Sequence, residues 1–278
     1  MYIPKNSQFN PAGTSTTSDK PAQKKKLYSI AIAFGVLAIT LIAGIMISKA
    51  ESESELAIKI VPNDLEQLWK WSDEVLVEGA GTAEWTLRWD FTTTSKTALK
   101  ELTASLFQEE NGDIPNKLIT NEGKTVRGEV ERLGGLLSIH APDETEQSNQ
   151  LFVLLESSNA TRTLQQLLSS AALIGDELIK VTSHANTSMK VHGFARSQEV
   201  VKEMERLSLG RVVEEYKDKG TWSVTLDSSS LLSSQPLGSD RYANLQVAAH
   251  EHTERKMTEL TMGIPLITGD FASTKDEP

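Results

Sequence analysis

The stretch of sequence that says most about the fold is residues 84–91, EWTLRWDF. Every second position holds a large apolar side chain (Trp85, Leu87, Trp89 and Phe91), and the positions between are charged or hydroxylated. Because successive side chains of a strand point to opposite faces of a sheet, this alternation predicts a half-buried β-strand. Its buried face is unusually bulky.

Helices are predicted on both sides of this strand. The helix before it begins after Asn63, which forms a capping box with Glu66, and the helix after it has leucines at helical spacing. The apolar stripes of the two helices are Leu65, Leu68, Trp69, Val75 and Leu76, then Leu99, Leu102 and Leu106. Three more strands are predicted at 124–132, 136–140 and 151–155.

The same order of elements recurs in the second half of the chain. The helix near 161–174 has apolar residues at 164, 167, 168 and 174, each 99 positions after a stripe residue at 65, 68, 69 or 75. A strand at 188–194, a helix, and strands at 211–216, 221–226, 242–249 and 256–262 follow. Such stripes also arise by chance in unrelated helices. The matched order favours an α+β domain made of two halves, 62–158 and 159–271, with one curved antiparallel sheet and helices on one face.

An uncharged run of 21 residues from Leu27 to Ile47 precedes this domain. As a helix it would be roughly 31 Å long, which matches the hydrocarbon core of a bilayer. Lys24, Lys25 and Lys26 lie just before it, so we expect a cytoplasmic N-terminus and an extracellular C-terminal domain. Residues 1–26 are predicted to be a disordered tail, 48–61 an acidic stem and 272–278 a tail. The alternative is a secreted protein cleaved near Ala50.

Charge and composition exclude several classes of function. The chain has no cysteine, which excludes disulfide frameworks and thiolate metal sites. Its net charge is −10, and since residues 1–50 hold six lysines and one acid, the remainder has 22 basic and 37 acidic residues, a net of −15. Such a domain repels the phosphates of nucleic acid, so we expect no nucleic-acid partner.

The C-terminal segments 242–248 (YANLQVA) and 257–268 (MTELTMGIPLIT) resemble the end of the YwmB-like proteins of Gram-positive bacteria. Glu84-Trp85 after a glycine-containing turn, and the exported N-terminus, are also similar to that family. The resemblance implies a duplicated saddle like that of the TATA-box-binding protein and a location in the cell envelope. It implies no catalytic residues.

The candidate partner face lies on the predicted strand 242–249 and its continuation. Side chains at every second position of a strand share a face, and here these are Tyr242, Asn244, Gln246, His250 and His252. A histidine pair could begin a zinc site, but zinc needs at least a third ligand, so exposed strand histidines are the simpler interpretation and no metal is expected.

Trp71 is a further candidate contact. It follows Trp69 by two residues, about 200° around the helix, and is therefore predicted to face away from the apolar stripe, unless another element covers it.

No sequence motif for catalysis or cofactor binding is present. The triplet Gly79-Ala80-Gly81 precedes a strand where a dinucleotide-binding loop would follow one. The sequence thus favours a membrane-anchored, non-enzymatic module that binds an envelope protein or a wall polymer. An envelope hydrolase or metal-dependent enzyme with an unrecognised site is the alternative, and it would need a deep pocket lined by ionisable groups.

Overall fold

The computed structural model describes residues 54–109, 112, 115–142, 150–157, 162–238 and 240–267, with side chains from Ile60 onward. The predicted tail 1–26, the predicted span 27–47 and residues 268–278 lie outside this range. No helix within it has both the length and the apolarity needed to cross a bilayer. The described part is an α+β structure with four α-helices and a large antiparallel sheet.

Each α-helix is followed along the chain by one strand or by a series of strands. The α-helices are α1 Ser54–Val75, α2 Ala98–Leu106, α3 Leu164–Leu178 and α4 Val200–Leu207. The strands are β1 Glu84–Thr92, β2 Leu118–Thr120, β3 Thr125–Val130, β4 Gly135–His140, β5 Gln150–Ser157, β6 Ala185–Ala195, β7 Gly210–Asp218, β8 Thr221–Ser228, β9 Gln235–Gly238, β10 Arg241–Ala243, β11 Leu245–His252 and β12 Met257–Ile264.

Ten of these strands form one sheet in the order β2-β3-β4-β5-β1-β6-β12-β11-β8-β7. All its pairs are antiparallel, and β9 and β10 form a separate hairpin. The predicted strand at 84–91 is confirmed as β1, which pairs with β6 at the centre of the sheet.

The hydrophobic core lies between one face of the sheet and the helices. Trp85, Leu87, Trp89 and Phe91 are buried there, as their alternation predicts. α1 packs against β6, α3 and α4, and α2 packs against α3. Trp69 of α1 stacks on Trp85 with 5.4 Å between ring centroids, and the Trp85 indole N–H donates to the carbonyl of Ala80. Helix and sheet therefore share one continuous core.

One prediction about α1 is wrong, and of the two alternatives given for Trp71 the structure shows the covered one. The described helix runs from Ser54 through Pro62 and Asn63, so Asn63 lies inside it and does not cap its start. Trp71 is buried, with 3% of its surface exposed. The physical reason is the width of the buried stripe: at 100° per residue, Trp69 and Trp71 lie near its two opposite edges, so a large angle between them does not bring Trp71 to solvent.

The Asp64 side chain ties α1 to the far end of the chain. Its fully buried carboxylate accepts hydrogen bonds from the backbone N–H groups of Leu232 (2.8 Å) and Ser233 (2.9 Å), and from the Ser233 hydroxyl. The Asn63 side-chain amide also donates to this carboxylate, at 2.9 Å. A buried carboxylate with these four donors fixes the loop after β8 onto the helix layer.

We expect Asp64→Ala to lower the free energy of unfolding by about 3 kcal/mol, because the backbone N–H groups of Leu232 and Ser233 lose a charged acceptor. Urea denaturation followed by circular dichroism measures this change. Glu66→Ala is the matched control, since Glu66 is exposed on the same helix, and should change stability by less than about 0.5 kcal/mol. Equal effects of the two substitutions would contradict the assignment of Asp64 as the tie.

Candidate functional site

The face of the sheet opposite the helices is the candidate functional surface, and we call it the open face. Residues opposite each other in an antiparallel pair point to the same side, so the register identifies its members. It comprises the side chains between the core positions, among them Arg88, Asp90, His140, Phe152, Glu156, Lys190, His192, Phe194, His250, His252 and Glu259. The face thus combines aromatic, basic and acidic groups.

One aromatic cluster lies where β4, β5 and β1 meet. Phe152 is half-buried between His140, whose ring stacks on it at 6.2 Å, and Arg88, whose guanidinium carbon lies 4.6 Å from the ring centroid. Asp90 holds Arg88 in place by accepting three hydrogen bonds on its two carboxylate oxygens, the shortest 2.7 Å. We call Arg88, His140 and Phe152 the first cluster. A guanidinium above a ring is attracted to it electrostatically, and the ion pair with Asp90 fixes the Arg88 guanidinium in that position.

A second cluster of the same chemistry lies on β6, β11 and the turn before β12. Phe194 contacts His192 and His252 edge to face, with centroids 6.3 and 6.0 Å away, and the Arg255 guanidinium carbon lies 4.7 Å from its centroid. The Nδ1 atom of His192 lies 3.0 Å from the Thr261 hydroxyl. We call His192, Phe194, His252 and Arg255 the second cluster. The open face therefore presents two phenylalanine–histidine–arginine groups.

Lys190 lies between the two clusters, opposite Thr86 of β1 and Gly263 of β12. Burial lowers the pKa of its ammonium group, and the charges of Glu156 and Glu84 oppose that shift. Glu156 also forms an ion pair with Arg127 at 3.2 Å. Thr86 and Ser188 beside it on this face are also buried, so the centre of the open face is less hydrated than its periphery.

The end of the described chain folds back over the open face beside β11 and β12. The backbone N–H of Ile267 donates to the Gln246 side-chain oxygen at 2.9 Å. Ile267 also lies so close to Gly263 that a Cβ there would be 2.8 Å from the Ile267 Cγ1 atom and 3.0 Å from its backbone nitrogen. Glycine at 263 is what permits this approach, and Gln246 is a docking point for the chain itself.

The other predicted site residues do not form one surface. Tyr242 is 51% exposed but belongs to the separate hairpin, and Asn244 is only 4% exposed. The prediction that Asn244 shares a solvent-facing strand with Gln246 is wrong, because the strand is interrupted at Asn244, between β10 and β11. The Asn244 amide instead pairs with the backbone N–H and carbonyl of Ser228, at 2.7 and 2.8 Å.

The two C-terminal histidines lie on the open face as predicted, but their partners differ. His250 is exposed and its Nδ1 lies 2.9 Å from the Thr221 hydroxyl, whereas His252 contacts Phe194 and Glu259. Within the described ranges, no group of three histidine, aspartate or glutamate side chains is close enough together to hold a metal ion.

Sequence reasoning missed the first cluster and, apart from His252, the members of the second. The alternation in β1 signals that Arg88 and Asp90 share a face, but which residues of β5 and β6 lie beside them depends on strand register.

Gly263→Val should displace residues 265–267 from the open face, because the added side chain would overlap Ile267. We expect faster hydrogen exchange at the Ile267 amide and a loss of about 1–3 kcal/mol of stability. Hydrogen-exchange mass spectrometry measures the first effect. Thr261→Val, on the same strand and face, is the control and should leave the Ile267 amide protected; unchanged protection in Gly263→Val would rule out the proposed close packing.

The pH dependence of stability should report the burial of Lys190. Its pKa is lower in the folded chain than in the unfolded chain, so between the two values the unfolded chain binds more protons. Relative to Lys190→Met, the wild type should therefore gain stability as pH rises toward the ordinary lysine pKa of 10.5. Urea denaturation between neutral pH and that value tests this, with exposed Lys202→Met as the control. A difference in unfolding free energy between the wild type and Lys190→Met that does not change with pH would contradict the prediction.

Comparison with known proteins gives no relative from which a role could be transferred. No family model matches the chain, and no curated protein matches it.

Proposed function

We propose that this protein is a membrane-anchored, extracytoplasmic module of the bacterial cell envelope that binds a protein or a wall polymer through the open face. The observation that carries the proposal is the pair of phenylalanine–histidine–arginine clusters on a sheet face that the described helices leave uncovered. Half-buried aromatic rings offer flat apolar surface, and arginine adds planar hydrogen-bond donors, which is the composition typical of binding hot spots.

The strand order supports the duplicated saddle of this proposal. Outward from β1 the neighbours are β5, β4, β3 and β2, and outward from β6 they are β12, β11, β8 and β7. In each series a helix precedes the inner strand and another helix follows it. Two copies joined through β1 and β6 would generate this order, as in the saddle of the TATA-box-binding protein. The resemblance of 242–248 and 257–268 to the YwmB-like proteins is consistent with it.

Charge argues for an envelope partner over nucleic acid. A saddle that binds DNA needs a basic concave face, whereas residues 51–278 have a net charge of −15. On the open face the arginines are accompanied by carboxylates, since Arg88 pairs with Asp90 and Arg127 with Glu156. Mixed charges with aromatic rings suit a polypeptide or a sugar polymer, which both offer hydroxyl or amide groups beside apolar surface. The apolar run from Leu27 to Ile47 supports anchoring in the membrane.

Site-specific photo-crosslinking in cells tests the binding surface. A photoreactive residue replaces Phe194 on the open face or, as the matched control, Leu173 on α3, which belongs to the helix layer. We expect a discrete crosslinked product from position 194 and none from position 173. Phe152→Asp should reduce the product from 194 at least tenfold, since it disrupts the first cluster without touching the crosslinker.

The two partner classes and the location are separated by further measurements. Crosslinked protein identifies a polypeptide partner, and co-sedimentation with purified cell wall, lost in Phe152→Asp, identifies a polymer. External protease should digest the domain on intact cells. A folded, externally exposed domain that gives neither crosslinks nor sedimentation would refute the open-face proposal, and a protease-protected domain would refute the location.

A further inference from the structure

A groove in the helix layer, on the side of the sheet away from the open face, has no role in the function proposed above. It lies between α1, α3 and the start of β6, and its volume among the described residues is about 450 Å³. We call it the α1–α3 groove. Sites for small molecules have volumes of roughly 300–1,000 Å³, so the groove has the size of a ligand site.

Gly175 creates part of this space. It lies inside α3, is buried, and a Cβ built on it would meet no atom within 4 Å outside its own stretch of helix. Glycine inside a helix costs about 1 kcal/mol relative to alanine. No described neighbour requires glycine here, and the missing side chain leaves part of the groove open. Ala171 and Ala172, which also line the groove, have short side chains that leave further space on the α3 side.

Apolar and polar residues line different parts of the groove. Val61 and Pro62 of α1, Trp89 of β1 and the small residues of α3 make its walls apolar. The hydroxyl and imidazole groups come from one short segment, 182–187, at the end of α3. A ligand that fits this division is apolar along most of its length and polar at one end.

The polar end favours a neutral head group with a hydroxyl. Asp176 is the only charged residue among those described as lining the groove, and a carboxylate disfavours a negatively charged ligand nearby. The Nε2 atom of His184 lies 3.1 Å from the Asn186 side-chain oxygen, and one tautomer of the ring donates to that oxygen from Nε2. Its Nδ1 is then an acceptor, and it has no hydrogen-bond partner within the described ranges. A hydroxyl donor would satisfy it.

We propose that the α1–α3 groove binds the single hydrocarbon chain of a neutral, hydroxyl-bearing lipid of the monoacylglycerol class. The source is the outer leaflet of the membrane, a point that rests on the anchoring proposed above: α1 starts at Ser54, seven residues after the predicted span ends at Ile47. Binding in the groove itself depends on neither the anchor nor the open face.

Photolabelling of the full chain in lipid nanodiscs tests this inference. The probe is a monoacylglycerol with a diazirine in the middle of its chain, and peptide mass spectrometry locates the label. We expect label on α3 between 171 and 179 and at Trp89. Gly175→Leu fills the groove and should reduce this label at least tenfold. Ser169→Leu is the matched control, since it adds the same side chain at an exposed position of α3 and should retain the label.

A second groove variant controls for misfolding of the first, and a competition experiment tests the head group. Ala172→Phe narrows the groove from an exposed position, so it should also reduce the label without disturbing the core. Unlabelled monoacylglycerol should compete at least tenfold better than the fatty acid of equal chain length. Label on α3 that persists in both groove variants, or label confined to residues 27–47, would overturn the binding site. Equal competition by the acid would overturn the neutral head group. Failure of the chain to enter nanodiscs would refute the anchor and the membrane source, whereas label added in solution would still test the groove.

Discussion

The antiparallel pairing of β1 with β6 is the interaction on which the rest of the structure depends. Eight residue pairs, from Glu84 opposite His192 to Phe91 opposite Ala185, join the strands of the first half of the chain to those of the second. Without this pairing the ten-stranded sheet would become two sheets, and each would expose a new edge in the middle of the core. Trp85 opposite Val191 and Leu87 opposite Met189 bury apolar surface under the helices along this seam. The seam therefore holds together both the backbone of the sheet and its core.

The same register also produces the open face. On the other side of the seam, Thr86 lies opposite Lys190 and Arg88 opposite Ser188. A shift of one residue would turn every side chain of one strand to the other face and place Lys190 or Arg88 in the core. The cost of burying such a charge specifies the register as strongly as the burial of tryptophan does. Core and candidate site are thus two consequences of one pairing.

Local sequence patterns predicted the elements better than they predicted the site. β1 and its buried face follow from alternation within eight residues, and α3 follows from a helical stripe, although the capping box of Thr163 and Gln166 that begins it is seen only in the structure. The first cluster, in contrast, combines side chains from three strands. One of them, β5 (QLFVLLES), has apolar residues on both faces, so its sequence shows no alternation of polar and apolar positions. Nothing local marks Phe152 as the partner of Arg88.

The outcomes at Trp71 and Asn244 have the same origin. An angle around a helix predicts exposure only when the width of the buried stripe is known, and that width depends on how many elements pack on the helix. Parity along a strand predicts a shared face only while the strand continues, and it stops at Asn244 because that side chain bonds to the backbone of Ser228. Both depend on contacts with distant residues.

The two proposed sites share β1. Trp89 lines the α1–α3 groove, and its sequence neighbours Arg88 and Asp90 belong to the open face. Adjacent residues of a paired strand cannot move independently, because β5 and β6 hold β1 on both sides. Coupling between the sites therefore requires the paired strands β1 and β6 to adopt a second position. A lipid in the groove changes affinity on the open face only if it binds more tightly to one of these two positions than to the other. A rigid seam makes the two sites energetically independent, so a change in open-face binding on filling the groove would reveal a second arrangement of β1.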